Sequence, residues 1–93
     1  MIRILKLVTG DDVIADVEKK ENEIILKNPQ AILATHEGIG LMPLMPFSNE
    51  KEYSINIKNI IFDLEPEEEL KNSYNSKFGS GIVIAKNSII LED

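Results

Sequence analysis

The 93-residue chain carries a formal net charge of −6, contains no cysteine and is 43% apolar. This length allows one small domain with a modest core and leaves no room for a second domain. The absence of cysteine excludes disulfides, thiolate metal sites and thiol catalysis. The net negative charge opposes extensive, sequence-independent binding to a polyanion. No apolar run approaches the roughly 18 residues that span a bilayer, and the start lacks a signal-peptide apolar region, so we expect a soluble cytoplasmic protein.

Apolar and polar residues alternate through the first part of the chain with the period of two that is typical of strands. The first strand, over residues 1–8, has apolar residues on both faces: Ile2 and Ile4 on one, Leu5 and Leu7 on the other. The core face of the second strand consists of Val13, Ala15 and Val17. A turn at residues 9–12 joins the two strands, and Gly10 is placed to take a positive φ there.

Three acids near this turn, Asp11, Asp12 and Asp16, allow two interpretations. Clustered carboxylates suit a hard cation such as calcium or magnesium. The alternative is a solvated turn followed by an outward-facing aspartate. We favour the second interpretation and expect no metal, because the spacing of a calcium-binding loop is missing.

A polar hairpin tip at residues 19–23 precedes a long apolar stretch at 24–35, which Asn28-Pro29 interrupts. Because proline has no amide hydrogen for a ladder, we expect a bend or bulge here rather than two separate elements. Residues 36–40 then predict a hairpin connection. His36, the only histidine, is either a loop residue without a special task or a ligand contact, and a transition-metal site is not expected.

Residues 41–47 are strand-like but contain two prolines, which is typical of the edge of a sheet. Edges are where subunits join, so the methionines and Phe47 are interpreted as core or interface residues rather than a cofactor site. After a polar loop at 48–52, apolar residues alternate again over 53–58. Ile60-Ile61-Phe62 completes a short apolar strand.

The C-terminal third predicts a helix at residues 65–79. Pro66 suits the first helical position, and the glutamates after it complement the positive end of the helix dipole. An apolar stripe recurs at i, i+4 and i+8 and is expected to pack against the sheet or a neighbouring subunit. The stripe consists of Leu70, Tyr74 and Phe78. Gly79 is expected to cap the helix, and residues 80–93 predict a terminal strand or hairpin.

The spacing from Gly10 to the third strand resembles the first motif of the Sm-like family, which includes bacterial Hfq proteins and archaeal and eukaryotic Sm and LSm ring subunits. In that motif a glycine is followed at fixed intervals by an apolar, a small and an apolar residue, an acid at the hairpin tip and an apolar strand. The matching residues are Gly10, Val13, Ala15, Val17, Glu21 and Ile24-Ile25-Leu26. The layout also resembles the short Sm-like proteins of tailed phages, including cyanophages, which carry a C-terminal helix.

The family's second motif, an apolar residue followed by a basic residue and glycine, is represented by Ile57-Lys58-Asn59. Lys58 occupies the position of the family's nucleotide-contacting basic residue, and Asn59 is expected to take the left-handed conformation of the glycine. The asparagine that reads uracil in Sm proteins is matched by Ile25, and its supporting aspartate by Glu21. We therefore do not expect this chain to recognise uracil as Sm proteins do.

The resemblance implies a mainly β fold: a small, strongly bent five-stranded Sm-like (SH3-like) open barrel at residues 1–64, followed by the helix and the terminal extension, and assembled into a cyclic homo-oligomer. The residues expected at the subunit interface are Leu41, Leu44, Met45, Phe47, Ile60, Ile61 and Phe62. The residues expected to contact RNA are Lys58, Asn59, Asn28 and His36. If the chain is phage-encoded, the expected location is the host cytoplasm.

Two classes of function follow from these expectations. One is RNA binding, with a chaperone or processing role, in which a single strand lies at the inner rim of the ring. The other is a structural or adaptor ring of phage origin that binds protein or only itself. An enzyme is not expected, because no nucleophile with a positioned base and no metal cluster is visible. No cofactor and no membrane partner are expected either.

Overall fold

The computed structural model, which describes residues 1–78 and 89–91, is mainly β with one α-helix. The elements are β1 (Ile2–Leu7), β2 (Asp12–Lys19), β3 (Glu23–Thr35), β4 (Gly38–Pro43), β5 (Glu52–Asn56), a 3₁₀ turn (Ile57–Asn59), β6 (Ile60–Leu64), α1 (Glu68–Phe78) and β7 (Ile89–Leu91). The strands follow the order β6-β1-β2-β3-β4-β7, and β5 also pairs with β3. Only the pairing of β4 with β7 is parallel. The ladder of the described strands is not closed into a barrel.

The long strand β3 organises the sheet. One of its edges pairs with β2 over residues 24–31, while the other edge pairs with β5 over residues 23–27 and with β4 over residues 30–35. Between these halves Asn28 has a φ of 48°, and the register with β2 shifts between Ile14 and Asp16. The bend or bulge expected at Asn28-Pro29 is confirmed.

Asn28 provides a direct test of this bend, since it is the one non-glycine residue with positive φ in the described part of the chain. Left-handed backbone is unfavourable for residues with a Cβ, least so for asparagine, and glycine adopts it freely. We expect Asn28→Ala to lower the free energy of unfolding by about 1 kcal/mol and Asn28→Gly to change it by less than about 0.5 kcal/mol. Chemical denaturation measures both. Equal losses would mean that the asparagine side chain, not the backbone conformation, stabilises the bend.

Apolar clusters cover both faces of the sheet. The sheet cluster contains Leu5, Leu7, Val13, Ala15, Val17, Ile24 and Leu26, with Leu44, Tyr53, Ile55 and Ile60 packed against it. The helix cluster contains Ile14, Leu41, Leu70 and Tyr74, with Ile2, Ile4, Ile32, Ile39 and Phe78 packed against it. The predicted division of β1 into two apolar faces and the predicted core face of β2 are therefore confirmed, as is the packing of the helix stripe on the sheet.

Tyr74 of α1 joins the helix to the bend. Its hydroxyl lies 2.8 Å from the Lys27 carbonyl and 3.0 Å from the Asn28 carbonyl, to which it donates, and it accepts from the Asp16 amide at 3.2 Å. These backbone groups lie where the β2–β3 ladder is interrupted. The hydroxyl thus supplies hydrogen bonds at a point where the bulge displaces the regular strand partners.

The helix begins two residues after the predicted first helical position, Pro66. The amide of Lys71 donates to the carbonyl of Glu67 at 2.9 Å, and the helix runs from Glu68. Residue 65 is still held beside β1, where Glu65 lies 3.5 Å from the guanidinium of Arg3. None of the described helices has the length and apolar content needed to cross a membrane.

The expected edge strand over residues 41–47 is wrong in two respects. β4 ends at Pro43, and the chain leaves the ladder as the amide of Leu44 donates to the Pro29 carbonyl. β4 is also not an edge, because β7 pairs with it. The predicted hairpin connection is correspondingly shorter: only residues 36–37 lie between β3 and β4.

The terminal strand is confirmed at residues 89–91, where β7 forms an added edge strand. The remainder of the predicted extension, residues 80–88 and 92–93, lies outside the described residues, as does the Gly79 cap.

Candidate functional site

The 3₁₀ turn Ile57–Asn59 presents the predicted RNA-contacting lysine, Lys58. The side-chain oxygen of Asn56 caps the turn by accepting from the Lys58 amide at 2.8 Å. The first amide of the turn donates to the Asn22 carbonyl at 3.1 Å, and its last carbonyl accepts from the Val8 amide at 2.9 Å. The turn is therefore held against both the β2–β3 hairpin tip and the β1–β2 turn, while the Lys58 side chain is exposed.

Asn59 does not have the left-handed conformation expected from the second motif, since Asn28 is the one non-glycine residue with positive φ among those described. The 3₁₀ turn passes directly into β6, with Ile60 at φ −110° and ψ 123°. A 3₁₀ turn makes this corner with negative φ values, so no glycine-like residue is needed.

Two other lysines near the turn are neutralised by acids. Lys19 lies 3.1 Å from Asp63, and Lys20 lies 3.1 Å from Glu18. Lys58 forms no ion pair with any residue that the structure describes. Lys58 is therefore the lysine at this end of the sheet that is available to a phosphate.

Asp63 keeps a negative charge close to the turn. Burial raises the pKa of this carboxyl, but hydrogen bonds from Arg3 and Lys19 outweigh burial, so the net pKa is lowered. Arg3 Nε donates to Asp63 Oδ1 at 2.7 Å and Arg3 Nη2 donates to the Asp63 carbonyl at 3.1 Å, which ties β1 to β6. The local field is consequently mixed rather than strongly positive.

A pocket of about 310 Å³ opens beside the turn. It is lined by Lys19, Lys20, Ile24, Ile57, Ile60, Ile61 and Asp63. Four of these residues are isoleucines, and no aromatic ring is among them. The pocket offers aliphatic surface against which a flat group can pack, with charges on its rim.

The four residues expected to contact RNA do not converge within one chain. Lys58 and Asn59 lie beside the start of β3, whereas His36 follows its end. Asn28 lies between them at the bend, where its amide donates to the Lys51 carbonyl at 2.7 Å.

The seven residues expected at a subunit interface differ in exposure. Leu41 is fully buried in the helix cluster, so its side chain is a core residue, because α1 covers that face of β4. Leu44 and Ile60 are half-buried against the sheet cluster. The four exposed members are Met45, Phe47, Ile61 and Phe62. Leu64, at the end of the same candidate strand, is 56% exposed and follows Phe62 at strand spacing.

Three strands keep an unpaired edge among the described residues. β6 pairs only with β1, β5 only with β3 and β7 only with β4. The residues expected at an interface include members of β6 but none of β5, whose alternating residues 52–56 carry no proline to mark an edge. The free edges of β5 and β6 adjoin the same 3₁₀ turn.

Two of the early aspartates are engaged by neighbouring side chains. Asp11 accepts from the hydroxyl of Thr9 at 2.7 Å, and Asp12 pairs with Lys6 at 2.8 Å. In residues 1–78 and 89–91 no group of three or more histidine, aspartate or glutamate side chains is arranged to hold a metal ion.

Comparison of the sequence with models of protein families and with curated proteins finds no match. The strand arrangement and the charges around the 3₁₀ turn are therefore the observations that indicate a function.

Proposed function

We propose that the chain is an Sm-like subunit that assembles into a closed ring and binds single-stranded RNA through Lys58. The observation that carries the proposal is the path β6-β1-β2-β3-β5, whose two ends are consecutive strands joined by one 3₁₀ turn. A single turn can join the two ends of a sheet only if the sheet curls until those ends are close together. This supports the strongly bent five-stranded barrel that the sequence motifs imply. β4 lies outside this five-stranded path and pairs with residues 30–35 of β3.

The free edges support assembly. Ile61, Phe62 and Leu64 are 54%, 55% and 56% exposed on β6. An exposed apolar edge strand is an aggregation hazard unless it is paired. Pairing of β6 in one copy with β5 in the next would satisfy the backbone groups of both edges and cover these side chains. Repetition of one such head-to-tail contact closes into a ring when the rotation between subunits allows it.

Lys58 supports RNA as the ligand. A net charge of −6 makes sequence-independent wrapping of RNA around the protein unfavourable. A ring, however, repeats one exposed lysine at regular intervals around its rim. Each lysine can neutralise one phosphate of a single strand, and the isoleucine-lined pocket beside it gives a base an apolar surface. We infer a few phosphate contacts with weak sequence preference.

The neutralised lysines favour a second candidate function, an adaptor ring without nucleic acid. Lys19 and Lys20 both pair with acids, and Asp63 stays ionised close to Lys58. In this alternative the assembly is the same, but Lys58 has no ligand. Native mass measurement with and without host RNA distinguishes the two candidates.

The lysine test uses Lys58→Ala with Lys71→Ala as its matched control, since Lys71 on α1 is a second lysine without an ion pair among the described residues. Filter binding of short uridine-rich and adenine-rich RNAs at low salt is expected to weaken at least about tenfold in Lys58→Ala. Lys71→Ala is expected to stay within about twofold, because one distant surface charge is largely screened. Absence of wild-type binding, or equal affinity in both variants, would favour the adaptor ring.

A further inference from the structure

A second pocket, of about 320 Å³, lies where three parts of the chain meet. The bend of β3 at residues 28–30, the segment 43–51 after β4, and the end of α1 form its lining together with Tyr53 of β5. Sites for small ligands begin at roughly 300 Å³. The size therefore limits an occupant to a small molecule or a single unit of a polymer.

The lining combines flat apolar surface with cations. Two aromatic residues, Tyr53 and Phe78, share the pocket with three prolines. Lys51 and Lys77 also line it, and Lys77 Nζ lies 5.5 Å from the centroid of the Phe78 ring. Aromatic and proline surfaces suit a planar ring, and ammonium groups suit an anion.

Gln30 adds an unusual polar group to this lining. Its side chain is 3% exposed, and its Nε2 donates to the Pro29 carbonyl at 3.2 Å. Its Oε1 is buried and accepts no hydrogen bond from the residues that the structure describes. Folded proteins leave few buried acceptors without a partner, because an unmade hydrogen bond is unfavourable. A ligand that carries a donor would supply the missing partner after a small movement of the amide.

We propose that this pocket binds a nucleotide whose base carries an exocyclic amine, with the base against Tyr53 and Phe78, the amine donating to Gln30, and the phosphate held by Lys51 and Lys77. Glu50, which also lines the pocket, provides a second acceptor for the base. The ligand is either a free mononucleotide or one unit of a single strand, since both present the same chemistry. The proposal depends on neither the Lys58 contact nor ring assembly.

The test is an NMR titration of the full chain with AMP, adenosine, UMP and inorganic phosphate. AMP is expected to shift the amide resonances of residues 28–30 and 47–53, with adenosine and UMP at least about fivefold weaker. Phosphate alone is expected to leave these resonances unmoved. An absence of shifts at millimolar AMP, or equal shifts with UMP, would overturn the proposal.

Three variants make the test specific. Lys51→Ala is expected to weaken AMP binding about tenfold, and Lys71→Ala, remote from the pocket, to preserve it. Gln30→Met removes the acceptor at similar shape, while the Pro29 carbonyl keeps its bond from the Leu44 amide at 3.0 Å. We expect Gln30→Met to fold with an undiminished Tm and yet bind AMP about tenfold more weakly. Unchanged AMP affinity in both Lys51→Ala and Gln30→Met would contradict the site.

The source of the nucleotide is resolved with a short oligoadenylate added to Lys58→Ala. If the oligoadenylate shifts the resonances of residues 28–30 in Lys58→Ala, and these shifts disappear in the double variant Lys58→Ala/Gln30→Met, the ligand is one unit of a strand. This result does not require the Lys58 contact. AMP binding without oligoadenylate binding identifies a free mononucleotide. Both results support the pocket, and the absence of both kinds of binding refutes it independently of the Lys58 test.

Discussion

Tyr74→Phe is expected to lower the free energy of unfolding by about 2 kcal/mol, although it removes only one oxygen atom. The Tyr74 side chain is 2% exposed, so water does not replace the lost hydroxyl without rearrangement. The hydroxyl contacts the Asp16 amide and the carbonyls of Lys27 and Asn28. The Asp16 amide and at least one carbonyl would lose a partner beside the bulge, and a buried group without its hydrogen bond is destabilising by about 1–3 kcal/mol.

Tyr53→Phe is the matched control for this substitution. Tyr53 is half-buried against the sheet cluster, and its hydroxyl makes no hydrogen bond to the described residues. The same chemical change is therefore expected to alter the free energy of unfolding by less than about 0.5 kcal/mol. Urea denaturation of both variants measures the difference. If the two losses were equal, the Tyr74 hydroxyl would not be what stabilises the bend.

The same hydroxyl predicts an alkaline transition. Burial raises the pKa of Tyr74 to about 12, against about 10 in an unfolded chain. Because the folded state holds the proton more tightly, this stabilisation is complete below pH 10 and is lost as the pH rises through 12. We expect wild-type protein to lose up to roughly 2–3 kcal/mol more than Tyr74→Phe across that interval. Denaturant titrations at pH 9 to 12 measure it, and parallel losses in both proteins would contradict the assignment.

Phe62→Asp is expected to convert the assembled protein to monomers. Phe62 is 55% exposed on β6, so the substitution has little effect on the fold of one chain. In the proposed ring this side chain lies at the contact between β6 and the next copy's β5. A carboxylate buried there without a partner is strongly unfavourable, and one copy of it occurs at every contact. Native mass spectrometry is expected to give a multiple of 10.5 kDa for the wild type and 10.5 kDa for Phe62→Asp.

Phe47→Asp provides the control, because Phe47 is another exposed phenylalanine (101%) but lies in the segment after β4. If β6 and β5 form the contact, Phe47→Asp is expected to keep the mass of the wild-type assembly. Dissociation by Phe47→Asp alone would instead assign the contact to the segment after β4. A monomeric wild type at working concentration would end the ring proposal, and circular dichroism confirms that each variant remains folded.

Local pattern was enough to predict several features of this fold. The two faces of β1 follow from the alternation of side chains along a strand, which is independent of the strand's partners. The bend at Asn28-Pro29 follows from a missing amide hydrogen, and the Leu70, Tyr74 and Phe78 stripe from helical spacing. The start of α1 was less predictable because the Arg3–Glu65 ion pair, which joins residues 62 positions apart, holds the chain beside β1.

The sequence by itself determined which residues face the core, where the long strand bends and where Lys58 lies in the chain. Only the tertiary structure decided which edges remain free: β7 covers one edge of β4, whereas β5 and β6 each keep one unpaired edge among the described strands. It also decided that Asp63 neutralises Lys19 and that Gln30 is buried without a full set of partners. Side-chain alternation depends on neighbouring residues in the chain, whereas strand pairing, ion pairs and burial depend on contacts between residues far apart in sequence.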